Sequence, residues 1–274
     1  MCGSAGAHIL LSRRHNEKEF HLARCPSCGQ HFCDPAPTRA EIAALYSGDY
    51  HQNLRSPGAT EKEFGEKFRR YRDWILRFVK PGRSLDIGTS TGLFPSLLKQ
   101  SGFEAEGIEY NEESAKWAQS HYQIRILPGL EYLQPGAYDL ISMTDVLEHQ
   151  EHPLNYLRSI RQHLKPRGFM LITFPDIRSP ESLYFRFLSQ LLRREWLWSC
   201  CYIPDHIWEF TPATAKRMFH KAGFEVLGFR RSQPAREPSA GILRILQLPA
   251  RLLEPGPIGR VAGTQMEFII RRRD

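Results

Sequence analysis

The stretch Leu85-Asp86-Ile87-Gly88-Thr89-Ser90-Thr91-Gly92 decides the fold of this chain. A short apolar run ends in a turn with two glycines, and a helical pattern follows over Phe94–Gln100. Glycines let the backbone approach a ligand closely, and a helix N-terminus offers unpaired backbone amides. The turn therefore predicts a nucleotide-type ligand at the end of a strand. It matches neither the dinucleotide fingerprint nor the P-loop, because Ser90 and Leu93 occupy the later glycine positions and no Gly-Lys-Ser/Thr follows.

Strand and helix patterns alternate on the C-terminal side of this turn, and a core-facing helix with aromatic residues from Phe64 to Phe78 precedes it. Such alternation predicts a Rossmann-like α/β fold, with a mostly parallel sheet covered by helices on both faces. The predicted strands are Ser84–Ile87, Glu104–Ile108, Ile124–Leu127, Tyr138–Met143, Met170–Phe174, Glu225–Arg230 and Gln265–Ile270, and the later predicted helices are Glu112–His121, Pro153–Leu164 and Thr214–Ala222.

Composition and charge exclude several classes of protein. With 41% hydrophobic and 24% charged residues, the 274-residue chain is neither disordered nor fibrous, and no apolar run is long enough to span a membrane. Its first apolar stretch, Ala7–Leu11, precedes the arginines, which is the reverse of a signal peptide, so we expect a cytoplasmic protein. The net charge of +7 is scattered along the chain and does not require a nucleic-acid partner.

The N-terminal segment is rich in cysteine. Cys25-Pro-Ser-Cys28 is typical of a zinc knuckle, in which two thiolates straddle a tight turn. Cys2-Gly3-Ser4 matches the second half of another knuckle, whose first cysteine would lie further upstream, and strand-like runs between the two suit a hairpin. We predict a zinc-ribbon-like segment over residues 1–50, with thiols that bind no metal as the alternative. The candidate zinc ligands are Cys2, Cys25, Cys28 and Cys33.

An acidic residue follows the second predicted strand, in Gly107-Ile108-Glu109. Glu109 lies about 20 residues beyond the glycine turn, where a carboxylate can accept hydrogen bonds from both hydroxyls of a ribose. The turn and Glu109 together predict an adenosine-type ligand.

The chain resembles the class I S-adenosylmethionine-dependent methyltransferases, in particular the small-molecule branch that includes the ubiquinone-biosynthesis type O-methyltransferases. The resemblance covers roughly residues 65 to 230. It implies a seven-stranded methyltransferase domain over residues 51–274. Four segments match in order, and two more support them: Leu85-Asp86-Ile87-Gly88 through Gly92, Gly107-Ile108-Glu109, Tyr138-Asp139-Leu140-Ile141 through Asp145-Val146-Leu147-Glu148-His149, Leu164-Lys165-Pro166-Arg167-Gly168, Asp205-His206 with Phe210-Thr211, and Ala222-Gly223-Phe224.

The resemblance implies a binding site for S-adenosyl-L-methionine. Asp86 and the turn Gly88–Gly92 would face its methionine part, Glu109 its ribose and the Gly129-Leu130 turn its adenine. Ser90 departs from the family, which usually has a glycine there, but its small side chain should still fit. The cofactor-binding residues expected from this resemblance are Asp86, Gly88, Ser90, Gly92, Glu109, Gly129, Leu130 and Thr144.

The segment from Asp145 to His149 is expected to carry the chemistry, because it follows a strand at the sheet edge where α/β folds bind ligands. Methyl transfer to oxygen benefits from a base with a pKa near the working pH, which makes His149 and His206 the candidates. In the ubiquinone-type relatives a similar run holds a divalent metal, so the resemblance implies such a site at Asp145, Glu148 and His149. The alternative is that these residues only hold the loop and the pocket together.

An aromatic-rich insertion over about residues 176–210 is expected to form a lid that selects a planar or apolar acceptor. A membrane contact by Leu183–Leu192 is the alternative. The cysteine-rich N-terminal segment, together with the following loop with Tyr46 and Tyr50, resembles methyltransferases of sugar and surface-polysaccharide pathways.

The leading hypothesis is methyl transfer to a hydroxyl of a small molecule: a sugar, a quinone precursor or a natural-product intermediate. A nucleic-acid methyltransferase is the second hypothesis, although the Asn/Asp-Pro-Pro-aromatic pattern of amino-group base methylation is missing after Met143. A non-catalytic scaffold that binds an adenosine ligand is the third. The sequence does not indicate an oligomeric state.

Overall fold

The structure is a computed structural model of the chain, and it describes residues 2, 6–15, 17–38, 40–42, 57–192, 203–232 and 263–274. The strands are β1 His8–His15, β2 Lys18–Arg24, β3 His31–Asp34, β4 Arg83–Ile87, β5 Glu104–Ile108, β6 Arg125–Leu127, β7 Tyr138–Thr144, β8 Leu164–Pro175, β9 Trp208–Glu209, β10 Phe224–Ser232 and β11 Gln265–Arg272. The helices are α1 Pro57–Ile75, α2 Leu93–Gln100, α3 Glu112–Tyr122, α4 Pro153–Arg161, α5 Pro180–Leu192 and α6 Pro212–Lys221.

Seven strands form the main sheet in the order β10-β11-β8-β7-β4-β5-β6. Strands β4 to β8 run parallel, and β11 is antiparallel to both of its neighbours. The chain passes from β4 to β5 on one side and returns to β7 on the other, so the strand order reverses at β4. Ligands of open α/β sheets bind at such a reversal, beyond the carboxyl ends of the strands. This confirms the predicted Rossmann-like sheet and places the glycine turn at its binding edge.

Apolar packing covers both faces of the sheet. On one face the aromatic residues of α1 pack against α2 and the sheet, and on the other α4 and α6 cover a larger cluster that includes Met143 and Phe268. The predicted core-facing helix is therefore present, although it ends at Ile75 and continues as a turn through Phe78.

A second sheet, in the order β1-β2-β3-β9, contains the cysteine-rich segment. The hairpin of β1 and β2 is extended by β3, which pairs in antiparallel fashion with β9 from the insertion, with His31 opposite Glu209. The Gln30 side chain also donates a hydrogen bond to the Glu209 carbonyl, at 3.0 Å. Among the described residues, the ribbon-like segment is thus joined to the insertion by backbone pairing.

The insertion is described only in part. Helix α5 exposes Tyr184, Phe187 and Leu191, and the chain is described again from Ile203. Three aromatic residues of the predicted lid insertion lie outside the described residues, namely Trp196, Trp198 and Tyr202, and so does the loop with Tyr46 and Tyr50. No helix in the described ranges is both long and apolar enough to cross a membrane.

Candidate active site

The glycine turn follows β4, and steric contacts require its glycines. Gly88 and Gly92 have φ angles of +73° and +82°, in the left-handed region that glycine adopts without strain. A Cβ atom on Gly88 would lie 2.7 Å from Cγ2 of Val146, and one on Gly92 would lie 2.6 Å from Cβ of Ala118. The turn is therefore packed directly against the segment Asp145–His149 and against α3.

Glu109 reaches across from β5 to this turn. Its carboxylate accepts hydrogen bonds from the backbone amides of Ser90, at 2.7 Å, and Asn111, at 2.8 Å. Ser90 has a φ of +50°, so a serine adopts the left-handed conformation that glycine adopts without strain. The structure thus brings Glu109 and Ser90 together at the mouth of the turn, as a shared ligand site requires.

Asp86 lies beneath the turn and is only 2% exposed. Burial raises the pKa of its carboxyl to about 7, against the opposing effect of the Ser142 hydroxyl, which donates a hydrogen bond of 2.6 Å to Oδ1. Thr144 ends β7 at the same sheet edge. Gly129 and Leu130 follow β6, also at this edge. Gly129 has an extended backbone that any residue can adopt, so its conformation does not require a glycine at this position.

This edge of the sheet fits an adenosine-type cofactor. The turn beyond β4 exposes Gly88 and Ser90, and the Glu109 carboxylate lies beside it, at hydrogen-bond distance from the Ser90 amide. Such a surface can hold a ribose and the polar tail of S-adenosylmethionine. The assignment of Asp86, Gly129, Leu130 and Thr144 to individual parts of the cofactor stays a prediction.

Asp145 is held by two groups that the sequence analysis did not identify. Lys67 Nζ of α1 lies 3.1 Å from Asp145 Oδ2, and Gln265 Nε2 of β11 donates to Oδ1. Burial would raise the pKa of Asp145, but Lys67 and Gln265 outweigh it and lower the pKa overall. Lys67 is 5% exposed and lies on the aromatic stripe of α1, between Phe64 and Tyr71. A lysine inside an apolar stripe is the signal that could have identified it.

Three ionisable side chains converge just beyond Asp145. Ligand atoms of Glu148, His149 and His206 all lie within 4.8 Å of one another, and the two imidazole rings meet edge to face, with centroids 4.7 Å apart. The Ile207 amide donates to the Glu148 carbonyl at 3.0 Å, which fixes the insertion against this segment. His149 Nδ1 lies 2.9 Å from the Asp205 carbonyl oxygen.

Burial gives these groups different pKa shifts. It raises the pKa of Glu148 to about 8 and lowers that of His149 to about 3. Burial also disfavours the charged form of His206, but Glu209, Glu148 and Asp145 outweigh it and raise its pKa. Glu148 is 1% exposed, and neither of its carboxylate oxygens has a hydrogen-bond partner among the described residues.

The predicted divalent-metal set of Asp145, Glu148 and His149 is not formed, because Asp145 is paired with Lys67. The donor set that the structure assembles instead is Glu148, His149 and His206. One carboxylate and two imidazoles are chemically suited to a divalent cation. They are equally suited to proton transfer without a metal.

A cavity of about 810 Å³ opens beside His149. Its wall includes Pro37 and Ile42 from the N-terminal segment, Tyr156 of α4 and Ile207 of the insertion. The volume is in the range that small-molecule ligands occupy, and the wall is of mixed polarity.

The cysteines separate into a cluster and an isolated thiol. Cys2, Cys25 and Cys28 offer three sulfur atoms within 4.8 Å of one another, and the Cys28 backbone and the Cys2 side chain help lower the pKa of Cys25 to about 7. Cys33 lies instead in an apolar cluster with Phe20, where burial raises its pKa to about 12. The predicted set of four ligands is therefore wrong in Cys33, because an apolar environment disfavours its thiolate. Zinc at the other three stays a prediction.

Comparison with known proteins agrees with this geometry. The sequence profile of the methyltransferase-domain family matches residues 64–228. A curated relative, the ubiquinone biosynthesis O-methyltransferase of Bordetella avium, is 27% identical over 172 residues, which cover 58% of this chain and 69% of the relative. In a relative of the same name from Xanthomonas campestris pv. campestris, at 29% identity, the match covers 35% of this chain and 45% of the relative.

Solved structures share the fold at low identity. A SAM-dependent methyltransferase from Archaeoglobus fulgidus superposes with a TM-score of 0.52 at 20% identity, covering 78% of this chain and 98% of that one. The 1,6-didemethyltoxoflavin-N1-methyltransferase of Burkholderia thailandensis, solved with S-adenosylhomocysteine, has a TM-score of 0.54 at 15% identity and covers 98% of this chain and 100% of that one. The chain therefore belongs to the methyltransferase-domain family and is a class I S-adenosylmethionine-dependent methyltransferase.

Proposed function

We propose that the chain transfers a methyl group to a hydroxyl of a small-molecule acceptor. The observation that carries this proposal is the cluster of Glu148, His149 and His206, which follows Val146, the residue that packs against Gly88 of the glycine turn. A cluster of this composition at the cofactor edge suits proton removal from a hydroxyl. The Bordetella avium relative is named an O-methyltransferase, which supports oxygen as the acceptor atom.

S-adenosylmethionine, when bound, supplies a methyl group on a positively charged sulfur, and an oxygen nucleophile in line with the carbon–sulfur bond takes the methyl group while S-adenosylhomocysteine leaves. The chain's own task is to position the reactants and to remove one proton. The glycine turn and Glu109 hold the cofactor at the end of β4. The acceptor occupies the cavity beside His149, where Ile42, Tyr156 and Ile207 contact its apolar part.

His149 is the base in this proposal. Its Nδ1 lies at hydrogen-bond distance from a carbonyl oxygen, which only accepts, so Nδ1 carries the ring proton and Nε2 is the basic nitrogen. The low pKa keeps the ring neutral before the reaction. When the hydroxyl proton moves to Nε2, the ring becomes positive, and the Glu148 carboxylate beside it stabilises that charge.

This role for Glu148 predicts the pH dependence of the rate. With a pKa of about 8, Glu148 gains its negative charge as the pH rises through that value. The methyl-transfer rate should therefore rise with pH and level off above about 8. Glu209, Glu148 and Asp145 raise the pKa of His206, which lies beside Glu148 and is a positioning residue in this proposal.

Calorimetric titration of the full chain with S-adenosylhomocysteine tests the cofactor site. Glu109→Gln should weaken binding by about 1–3 kcal/mol, the scale for charge-assisted hydrogen bonds. Glu112→Gln, at an exposed position of α3, is the matched control and should bind as the wild type does. Equal affinity of all three proteins would reject the assignment of Glu109 to the ribose.

Turnover is tested with S-adenosylmethionine and a panel of hydroxyl-bearing sugars, phenols and quinone precursors. His149→Ala should lose at least about 100-fold in rate, the contribution of a general base, and Glu148→Gln should lose the rise towards pH 8. His220→Ala, at an exposed position of α6, is the control. Binding of S-adenosylhomocysteine without turnover of any acceptor would favour a scaffold, and methylation of RNA or DNA alone would favour the nucleic-acid alternative.

A further inference from the structure

A second cavity lies between the N-terminal sheet and helix α5. Its volume is about 460 Å³, and its lining consists of Leu10, Arg24, His31, Arg178 and Arg186. None of these residues belongs to the glycine turn or to the cluster around His149. The methyl-transfer chemistry therefore leaves this cavity without a role.

The cavity carries concentrated positive charge. Arg24, Arg178 and Arg186 come from three places in the chain, and all three act electrostatically on His31, with no carboxylate among the charges that shift it. Burial and the neighbouring Arg178 lower the pKa of Arg186, the direction expected when like charges are crowded. Within the described ranges, neither Arg24 nor Arg178 forms an ion pair. A concave surface with this balance attracts anions.

His31 supplies an independent observation. Its side chain is 3% exposed, and its Nδ1 atom has no hydrogen-bond partner within the described part of the chain. Buried polar atoms of native proteins are nearly always paired, so the unpaired ring nitrogen of a residue that lines this cavity favours a polar ligand nearby. A neutral imidazole can donate one hydrogen bond to an oxyanion.

We propose that this cavity binds the phosphate group of a small-molecule ligand. Guanidinium groups bind phosphate through paired hydrogen bonds. Several guanidinium groups together complement the charge of a doubly charged phosphate better than they complement the charge of a singly charged carboxylate. The cavity is larger than one phosphate group, so it also has space for part of the attached molecule.

The position of the cavity connects it with the catalytic cluster. His31 on β3 pairs with Glu209 on β9, and the Glu209 carboxylate lies 3.5 Å from Nδ1 of His206. Arg178 and Arg186 belong to the same insertion that supplies His206. Building on the proposed function, the phosphate would be carried by the acceptor, and a separate phosphorylated ligand is the other source of the same chemistry.

Titration of the full chain with inorganic pyrophosphate, in the presence of saturating S-adenosylhomocysteine, tests the site. Arg178→Gln and Arg186→Gln should each weaken pyrophosphate binding at least tenfold. Arg77→Gln, which removes the same charge from an exposed position after α1, should not change it. The ring signals of His31 in the NMR spectrum should shift on addition of pyrophosphate, and those of exposed His220 should not.

The source of the phosphate follows from the methylation assay. If the acceptor carries it, pyrophosphate raises the KM for the acceptor and leaves kcat unchanged. If a separate ligand carries it, pyrophosphate binds without competing with the acceptor. Both results support the site.

Absence of pyrophosphate binding in protein that still binds S-adenosylhomocysteine would overturn the inference and leave the proposed function standing. Pyrophosphate binding in protein that does not bind S-adenosylhomocysteine would support the phosphate site and contradict the proposed function. Equal pyrophosphate affinity in the arginine variants would also overturn it. Salt-sensitive binding of a 20-nucleotide RNA without binding of pyrophosphate would replace the inference with a nucleic-acid surface.

Discussion

Replacing Asp86 by asparagine should change the stability of the protein by an amount that grows with pH. In the folded state burial raises the pKa of Asp86 from 3.8 to about 7. Below pH 3.8 the carboxyl is neutral in both states. As the pH rises from there towards 7, the unfolded chain gains a charge that the buried site resists, so the folded state loses stability relative to the unfolded state.

The magnitude follows from the shift. One pKa unit corresponds to roughly 1.36 kcal/mol, so the free energy of unfolding loses about 1.6 kcal/mol by pH 5 and about 4 kcal/mol above pH 7. Asparagine cannot ionise, and its Oδ1 still accepts the hydrogen bond from Ser142. Its amide hydrogens add a cost of about 1–3 kcal/mol if unpaired, which does not depend on pH. The variant should therefore gain about 2.3 kcal/mol over wild type between pH 5 and pH 7 and about 0.4 kcal/mol more by pH 8, where the gain levels off.

Urea unfolding monitored by circular dichroism at pH 5, 6, 7 and 8, at constant ionic strength, measures this difference. Asp73→Asn, at an exposed position of α1, controls for the loss of a carboxylate and should stay within about 0.5 kcal/mol of wild type. Ser142→Ala should raise the pKa of Asp86 in the folded state further, because the carboxylate loses its hydrogen bond. The loss of stability with rising pH should therefore continue to a higher pH than in the wild type. A difference between Asp86→Asn and wild type that stays constant from pH 5 to pH 8 would refute the reasoning.

Three further predictions concern packing, charge and metal. Gly88→Ala places a Cβ against Val146 in a left-handed conformation and should destabilise the protein by about 2–4 kcal/mol in urea unfolding. Adding Val146→Ala should recover the steric part, and failure to recover any of it would contradict that contact. Lys67→Met leaves Asp145 without its ion pair and should lower the free energy of unfolding by about 1–3 kcal/mol. The loss stays in this range because the Asp145 side chain is 40% exposed and water partly solvates its charge. Adding Asp145→Asn to this variant should restore most of the loss in the same assay. Metal analysis should find about one zinc per chain in wild type and much less in Cys25→Ser, whereas zinc-free wild type would reject the cysteine site.

The fold could be predicted because its signals are local. The period of apolar residues separates strands from helices within a few positions, and the glycine turn needs particular backbone angles at Gly88 and Gly92. The meeting of Glu109 with the turn spans only 19 residues, about one strand-helix-strand unit. Within such a unit the connection allows few arrangements, so the adenosine-type site could also be inferred.

The catalytic cluster needed the tertiary structure. The resemblance implied a metal site formed by Asp145, Glu148 and His149, which are close along the chain. The fold instead pairs Asp145 with Lys67, 78 residues away, and places His206 beside Glu148. No periodicity encodes either contact, because each depends on how an independently formed element packs on the sheet.

The same distinction explains the N-terminal segment. Its cysteine spacing and its hairpin are properties of the sequence alone. The burial of Cys33, the pairing of β3 with β9 and the convergence of Arg24 with Arg178 and Arg186 were decided by the tertiary structure. Spacing specifies which neighbours along the chain can share a turn, whereas the partners of a side chain across the molecule depend on which surfaces exclude water together.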